Sequence, residues 1–225
     1  YSEKKKSYSK ILDREFHIDV FRPNTEEKGI VLWLGGSGMD EDKYWSRGNS
    51  VNTIFDETWN QMGQGPPIIF VYVTAPYDIR FAKFSNFPED LEKWNQHVEE
   101  EILGNFPDLP VYLIGNSGGA ALALNGVHKL SNIVGAGCIG GDDIPEDLEI
   151  PLKKDGEPKW YLKLYYNLND PVYNTNLDVI EKLGKRGIIE INRYEGIHNT
   201  GDYIRNRSVE DLIRVALRSF SSDYL

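Results

Sequence analysis

The chain has 225 residues, 40% of them apolar and 27% charged, and carries a formal net charge of −10. That length suits one domain with a sizeable core, and the negative charge argues against a nucleic-acid partner, which calls for a basic face. No run approaches the roughly 20 consecutive apolar residues of a membrane span, so none is expected, and the single cysteine, Cys138, excludes an intrachain disulfide framework.

Residues 1–10, with Lys4-Lys5-Lys6, read as a polar N-terminal tail that stays solvated and frayed, ahead of one domain over residues 11–225. The alternation Phe16-His17-Ile18-Asp19-Val20-Phe21 predicts a half-exposed edge strand. Apolar, β-branched runs then predict strands at Ile30–Leu34, Ile68–Thr74, Val111–Ile114, Ile133–Ile139, Trp160–Tyr166 and Ile188–Tyr194. Helical spacing falls between them at Val51–Met62, Pro88–Leu103, Ser117–Leu130, Leu177–Lys185 and Ser208–Phe220. Cys138 lies inside one strand run and reads as a small core residue. The stretch Asp142–Lys159, rich in Asp, Glu, Pro and Lys, reads as a surface excursion whose acids face water and hold no metal. Short apolar strands alternating with helices predict an α/β fold, a mostly parallel sheet covered on both faces.

The sharpest signal is Val111-Tyr112-Leu113-Ile114-Gly115-Asn116-Ser117-Gly118-Gly119, a strand running into a turn and then a small-residue helix. Such an elbow holds a serine hydroxyl in the open and aims the first helical amides at whatever that hydroxyl attacks. A serine needs a base within hydrogen-bond reach. Of the four histidines, His17, His97 and His128 read as plain surface residues. His198 follows a strand through Glu195-Gly196-Ile197 and is the candidate base. Asp170, just past another strand in Asn169-Asp170-Pro171-Val172, is the candidate acid that orients the histidine. Asp142, Asp143 and Asp202 are the weaker candidates for that role. Backbone amides must also receive the charge that develops on a substrate oxygen. Gly118, the residue after the serine, supplies one candidate. Gly35-Gly36-Ser37-Gly38 after the first parallel strand supplies the other, Ser37, with Gly36 as the alternative donor. No P-loop lysine follows that glycine loop, and the dinucleotide pattern is incomplete.

These four segments, Leu34-Gly35-Gly36-Ser37-Gly38, Gly115-Asn116-Ser117-Gly118-Gly119-Ala120, Asn169-Asp170-Pro171-Val172 and Gly196-Ile197-His198, resemble an α/β-hydrolase. Within that superfamily the chain is similar to the phospholipase/carboxylesterase and acyl-protein thioesterase branch, from about Ile30 to the C-terminus. The resemblance implies no large lid domain, no cofactor, no metal, and hydrolysis of carboxylic esters or thioesters. It assigns Ser117 as nucleophile, His198 as base, Asp170 as its orienting acid, and Ser37 and Gly118 as amide donors. The chain departs from the branch at Gly35-Gly36, where His-Gly is usual, and at Gly118, where glutamine or methionine is common.

The expected function is therefore a serine hydrolase acting on a small-molecule ester or thioester. The alternatives are a carbohydrate-ester deacylase or peptidase on the same fold, or a binding protein that has lost catalysis. Trp33, Tyr44, Trp45, Tyr77, Phe81, Phe84 and Phe87 read either as the lining of an acyl or aryl pocket or as core and cover. One free cysteine fits the cytoplasm, secretion after removal of a leader stays open, and so does a homodimer.

Overall fold

The computed structural model describes residues 2–36, 51–63, 65–74, 88–141, 144–198 and 200–220. Their strands are β1 (Ser2–Ser9), β2 (Arg14–Phe21), β3 (Gly29–Leu34), β4 (Ile68–Val73), β5 (Val111–Asn116), β6 (Ile133–Ile139), β7 (Leu162–Asn167) and β8 (Ile189–Tyr194). The helices are α1 (Val51–Gln61), α2 (Pro88–His97), α3 (Gly118–Gly126), α4 (Pro171–Thr175), α5 (Leu177–Lys185), α6 (Thr200–Arg205) and α7 (Ser208–Arg218). The strands form one eight-stranded sheet in the order β1-β2-β4-β3-β5-β6-β7-β8. β1 and β2 pair antiparallel at one edge and β2 meets β4 antiparallel. All pairings from β4 through to β8 are parallel.

β3, β4 and β5 are buried along their whole length, which is why they read as continuous apolar runs instead of alternating ones. Each sheet face has its own core. On one face Trp94 and Val98, the small residues Ala120–Leu124 of α3, and Ile180 and Leu183 of α5 cover Leu32, Leu34, Val71 and Leu113. On the other, Val51 and Phe55 of α1 and Val209, Leu212 and Ile213 of α7 cover Val31, Phe70 and Ile114. Trp33 belongs to this second core at 2% exposure, so it is packing and not pocket lining. Cys138 is fully buried with its thiol against the Ala120 carbonyl, as expected of a core cysteine.

Three expectations need correction. Residues 2–9 are no frayed tail: they form β1, paired with β2 along its full length from Ser2 opposite Phe21 to Ser9 opposite Arg14. The polar, charged composition of this stretch suits an edge strand. His97 is no surface residue either. It is fully buried between Phe16 and Trp94, with Nδ1 2.7 Å from Glu101 Oε2. A π turn, Val98–Ile102, follows it directly, and the extra residue per coil breaks the 3.6-residue spacing by which helix faces are read. Finally, the excursion after β6 is only partly a surface feature: residues 151–157 are exposed, but Ile144, Leu148 and Ile150 are buried in the first core. His128 is exposed as expected, and its Nε2 accepts from the Glu149 N–H. Among the described residues no helix is long and apolar enough to cross a membrane.

Candidate active site

Parallel strands open their carboxyl ends on one edge of the sheet, where ligands bind in such folds. Gly36, Ser117, Gly140, Asp170 and His198 all follow strands there, after β3, β5, β6, β7 and β8 respectively.

Ser117 sits between β5 and α3 at φ 51°, ψ −122°, a combination that residues with side chains rarely adopt and that costs about 1–3 kcal/mol. Two backbone bonds hold it: Ser117 N–H donates to the Ile139 carbonyl, and the Ala120 N–H donates to the Ser117 carbonyl, each at 2.9 Å. The flanking glycines are required by contact distance. A Cβ on Gly115 would lie 2.2 Å from the Gly119 carbonyl oxygen, and one on Gly119 would lie 2.2 Å from that of Leu34. Side chains at either position would push α3 off the sheet.

His198 and Asp170 arrive from the neighbouring loops. Ser117 Oγ is 3.0 Å from His198 Nε2, and His198 Nδ1 is 2.7 Å from Asp170 Oδ2. Both distances are within hydrogen-bond reach for a nucleophile, a base and its orienting acid. Asp170 is fully buried and caps α4, its Oδ1 accepting from the Val172 N–H at 2.8 Å. Burial alone would push its carboxyl up, but donors from His198, Tyr203 and Val172 outweigh that and hold it below the usual carboxylate range.

The loop bearing His198 is pinned by residues that carry no motif. Asn167, fully buried at the end of β7, donates from Nδ2 to the Ile197 carbonyl at 2.8 Å and accepts from Asn206 Nδ2 at 2.6 Å. Asp202 Oδ2 accepts from the Ile197 N–H at 3.0 Å, which shapes the loop that carries His198, while the His198 Nδ1 contact is to Asp170. Asp142 and Asp143 lie outside the described residues.

For the amide donors, Gly118 opens α3, where the first N–H groups have no partner one turn back. The Gly36 N–H is already engaged: it donates to Asn116 Oδ1 at 2.9 Å. Gly36 is therefore a tether between the β3 loop and the elbow, and its amide faces Asn116, not the space above Ser117. Ser37 lies outside the described residues, as do Tyr44, Trp45, Tyr77, Phe81, Phe84 and Phe87. Two apolar side chains are exposed in the segments that lead to Asp170 and His198, Leu168 after β7 and Ile197 before His198. Among the described residues no group of three or more His, Cys, Asp and Glu could hold a metal ion.

Sequence reasoning missed Tyr203, Asn167, Asn116 and Asn206. Only Asn116 had a signal, as the residue before the serine in the elbow.

No protein family model matches the chain, and no curated protein does. Solved structures do. A ferulic acid esterase is 14% identical with a TM-score of 0.65, each chain being covered over 98% of its length. The feruloyl esterase module of Clostridium thermocellum, in its S954A form with sinapinate, is 14% identical with a TM-score of 0.69, over 95% of this chain and 87% of that one. S-formylglutathione hydrolase (FrmB) of Staphylococcus aureus is 14% identical with a TM-score of 0.63, over 95% and 99%. The chain has the α/β-hydrolase fold.

Proposed function

We propose that this chain is a serine hydrolase that cleaves carboxylic esters or thioesters through an acyl-enzyme on Ser117. The reading is carried by one observation, the unbroken line of contacts from Ser117 Oγ through the His198 ring to Asp170 at the open ends of the strands. In this reading Ser117 Oγ attacks the carbonyl carbon as His198 Nε2 takes its proton. Asp170 holds the imidazole in the tautomer with the proton on Nδ1 and stabilises the imidazolium. The amide of Gly118, with that of Ser37, receives the charge on the tetrahedral oxyanion. His198 then gives the proton to the departing alcohol or thiol, and a water, deprotonated by the same nitrogen, attacks the acyl-enzyme to release the acid and regenerate Ser117.

Several similar structures carry names from ester hydrolysis, which favours an ester over an amide. The contacts from Ser117 Oγ to His198 and from His198 to Asp170, together with the strained turn at Ser117, favour catalysis over a binding protein.

The test compares hydrolysis of p-nitrophenyl acetate, butyrate, octanoate and palmitate by the wild type and Ser117→Ala. The expected result is activity peaking at one chain length and a loss in the variant on the order of a million-fold, with stoichiometric fluorophosphonate labelling of Ser117. Equal activity in the two proteins, or none in the wild type together with no labelling, would overturn the proposal.

A further inference from the structure

Asp170 receives more than the relay needs. Oδ2 accepts from His198 Nδ1 at 2.7 Å and also from the Tyr203 hydroxyl at 2.6 Å, while Oδ1 takes the Val172 N–H. Tyr203 comes from α6, five residues after His198, and is 2% exposed. Its hydroxyl oxygen accepts in turn from the Asn167 N–H at 3.3 Å, which polarises the O–H toward the carboxylate. Room for that hydroxyl is made by Gly140 at φ +54°, just past β6. A Cβ there would lie 2.9 Å from the Tyr203 oxygen, 3.1 Å from His198 Cε1 and 3.2 Å from Asp170 Oδ2. Phenylalanine would fill the same volume, so the feature to be explained is a buried O–H committed to an acid.

Two donors on one oxygen share its negative charge. The phenol bond stabilises the Asp170 carboxylate and so reduces what that carboxylate returns to a protonated His198. We propose that Tyr203 is a positioning residue of the relay: it fixes Asp170 facing His198 and withholds part of the carboxylate charge from the imidazolium, thereby setting the pH below which His198 stops acting as a base. The inference rests on the assignment of Ser117, His198 and Asp170 made above.

Among the described residues the ionisable side chains that hydrogen-bond to Asp170 are His198, from the loop before α6, and Tyr203 on α6 itself. Asp202 and Arg205 of α6 pair with each other, and Asp202 also holds the Ile197 N–H. Arg193 on β8 donates to the Tyr173 hydroxyl of α4, and the Tyr166 hydroxyl of β7 donates to the Gly141 carbonyl. From the elbow, the contact with His198 is the neutral Ser117 hydroxyl.

The experiment follows the His198 ring protons by NMR against pH in wild type and Tyr203→Phe, with the resonance assigned by its loss in His198→Gln. Removing the hydroxyl returns charge to the imidazolium, so the titration midpoint rises by about half a pH unit or more, and the acid limb of kcat/KM rises with it. A folded Tyr203→Phe with an unmoved or lowered midpoint overturns the proposal, whatever happens to kcat, because a merely structural tyrosine would change rate or stability alone. If Tyr203→Phe does not fold, 3,5-difluorotyrosine at position 203 keeps the ring and strengthens the donor. The midpoint must then fall, and its failure to fall overturns the proposal. The titration needs no turnover: absent fluorophosphonate labelling with the midpoint shift intact removes the hydrolase reading and leaves the Tyr203–Asp170 coupling standing.

Discussion

Two glycines of α3, seven residues apart, make opposite predictions. A methyl at Gly119 would sit 2.2 Å from the Leu34 carbonyl oxygen and 2.5 Å from that of Gly35, more than 1 Å inside ordinary van der Waals contact and against backbone that cannot rotate away. Overpacking of this kind costs about 1–3 kcal/mol, and backbone neighbours on the sheet put Gly119→Ala at the upper end. With about 2–4 °C lost per kcal/mol in a domain of this size, Tm falls by about 6–12 °C. Retreat of α3 from β3 also moves the Gly118 amide and the Ser117 elbow, and a displacement near 1 Å costs about 100-fold in kcat. At Gly126 the methyl would meet only side-chain ends, Leu130 Cδ1 at 3.0 Å and Leu113 Cδ2 at 3.3 Å. Their give is offset by a helix-propensity gain of up to about 1 kcal/mol, so Gly126→Ala stays within about 1 kcal/mol of wild type and keeps full activity. Thermal unfolding followed by circular dichroism, paired with p-nitrophenyl ester kinetics, reads both quantities. A Gly119→Ala protein with wild-type Tm and kcat, or two variants equally destabilised, would refute the close-approach argument.

Asp170→Asn keeps the shape of the acid but not its charge, and should lower kcat by about 10⁴-fold, less than Ser117→Ala, in the same esterase assay. Because Asp170 is held below the usual carboxylate range, its contribution to stability is complete above that range and is lost as pH falls through its own titration. The wild-type urea midpoint should therefore drop on the acid side more steeply than that of Asp170→Asn. His97 acts in the same direction through the opposite chemistry: burial lowers it from 6.5, against the pull of Glu101. Stability is then full above about pH 6.5 and declines as pH falls below it, since the unfolded chain binds the proton first; His97→Leu should flatten that decline between pH 7 and 5.5. Asn116→Ala leaves the Gly36 N–H without its partner, which should cost about 1–3 kcal/mol by urea unfolding and lower kcat if the β3 loop carries an amide donor.

The strands were legible where burial on both faces left nothing but apolar residues, as in β3 and β4, and Leu177–Lys185 matched α5 end to end. β1 was not legible, because Ser2–Ser9 is an edge strand and no apolar alternation marks it. The position of His97 was hidden by the π turn that follows it. At the site, Ser117, Asp170 and His198 stood out since each sits in a turn with a recognisable composition. Tyr203 and Asn167 did not, because a tyrosine in a short helix and an asparagine at a strand end acquire meaning only from what they touch. Gly36 shows the converse: its sequence context allowed an amide donor, and the Asn116 side chain has claimed that amide.

The relay also has a temporal meaning. Ser117 and His198 are 81 residues apart, and the loop that carries His198 follows β8, which pairs with β7 at the sheet's far edge. The β7–β8 pairing is comparatively local, Leu162 lying opposite Ile189, but the Ser117–His198 contact closes a much longer stretch of chain, and such contacts are slower to form. An emerging or half-folded chain can therefore possess the bent serine turn while having no base beside it. If the chain is the serine hydrolase proposed above, activity on refolding should return later than the β5–α3 turn that carries Ser117, because the turn is local in sequence and its contact with His198 is not.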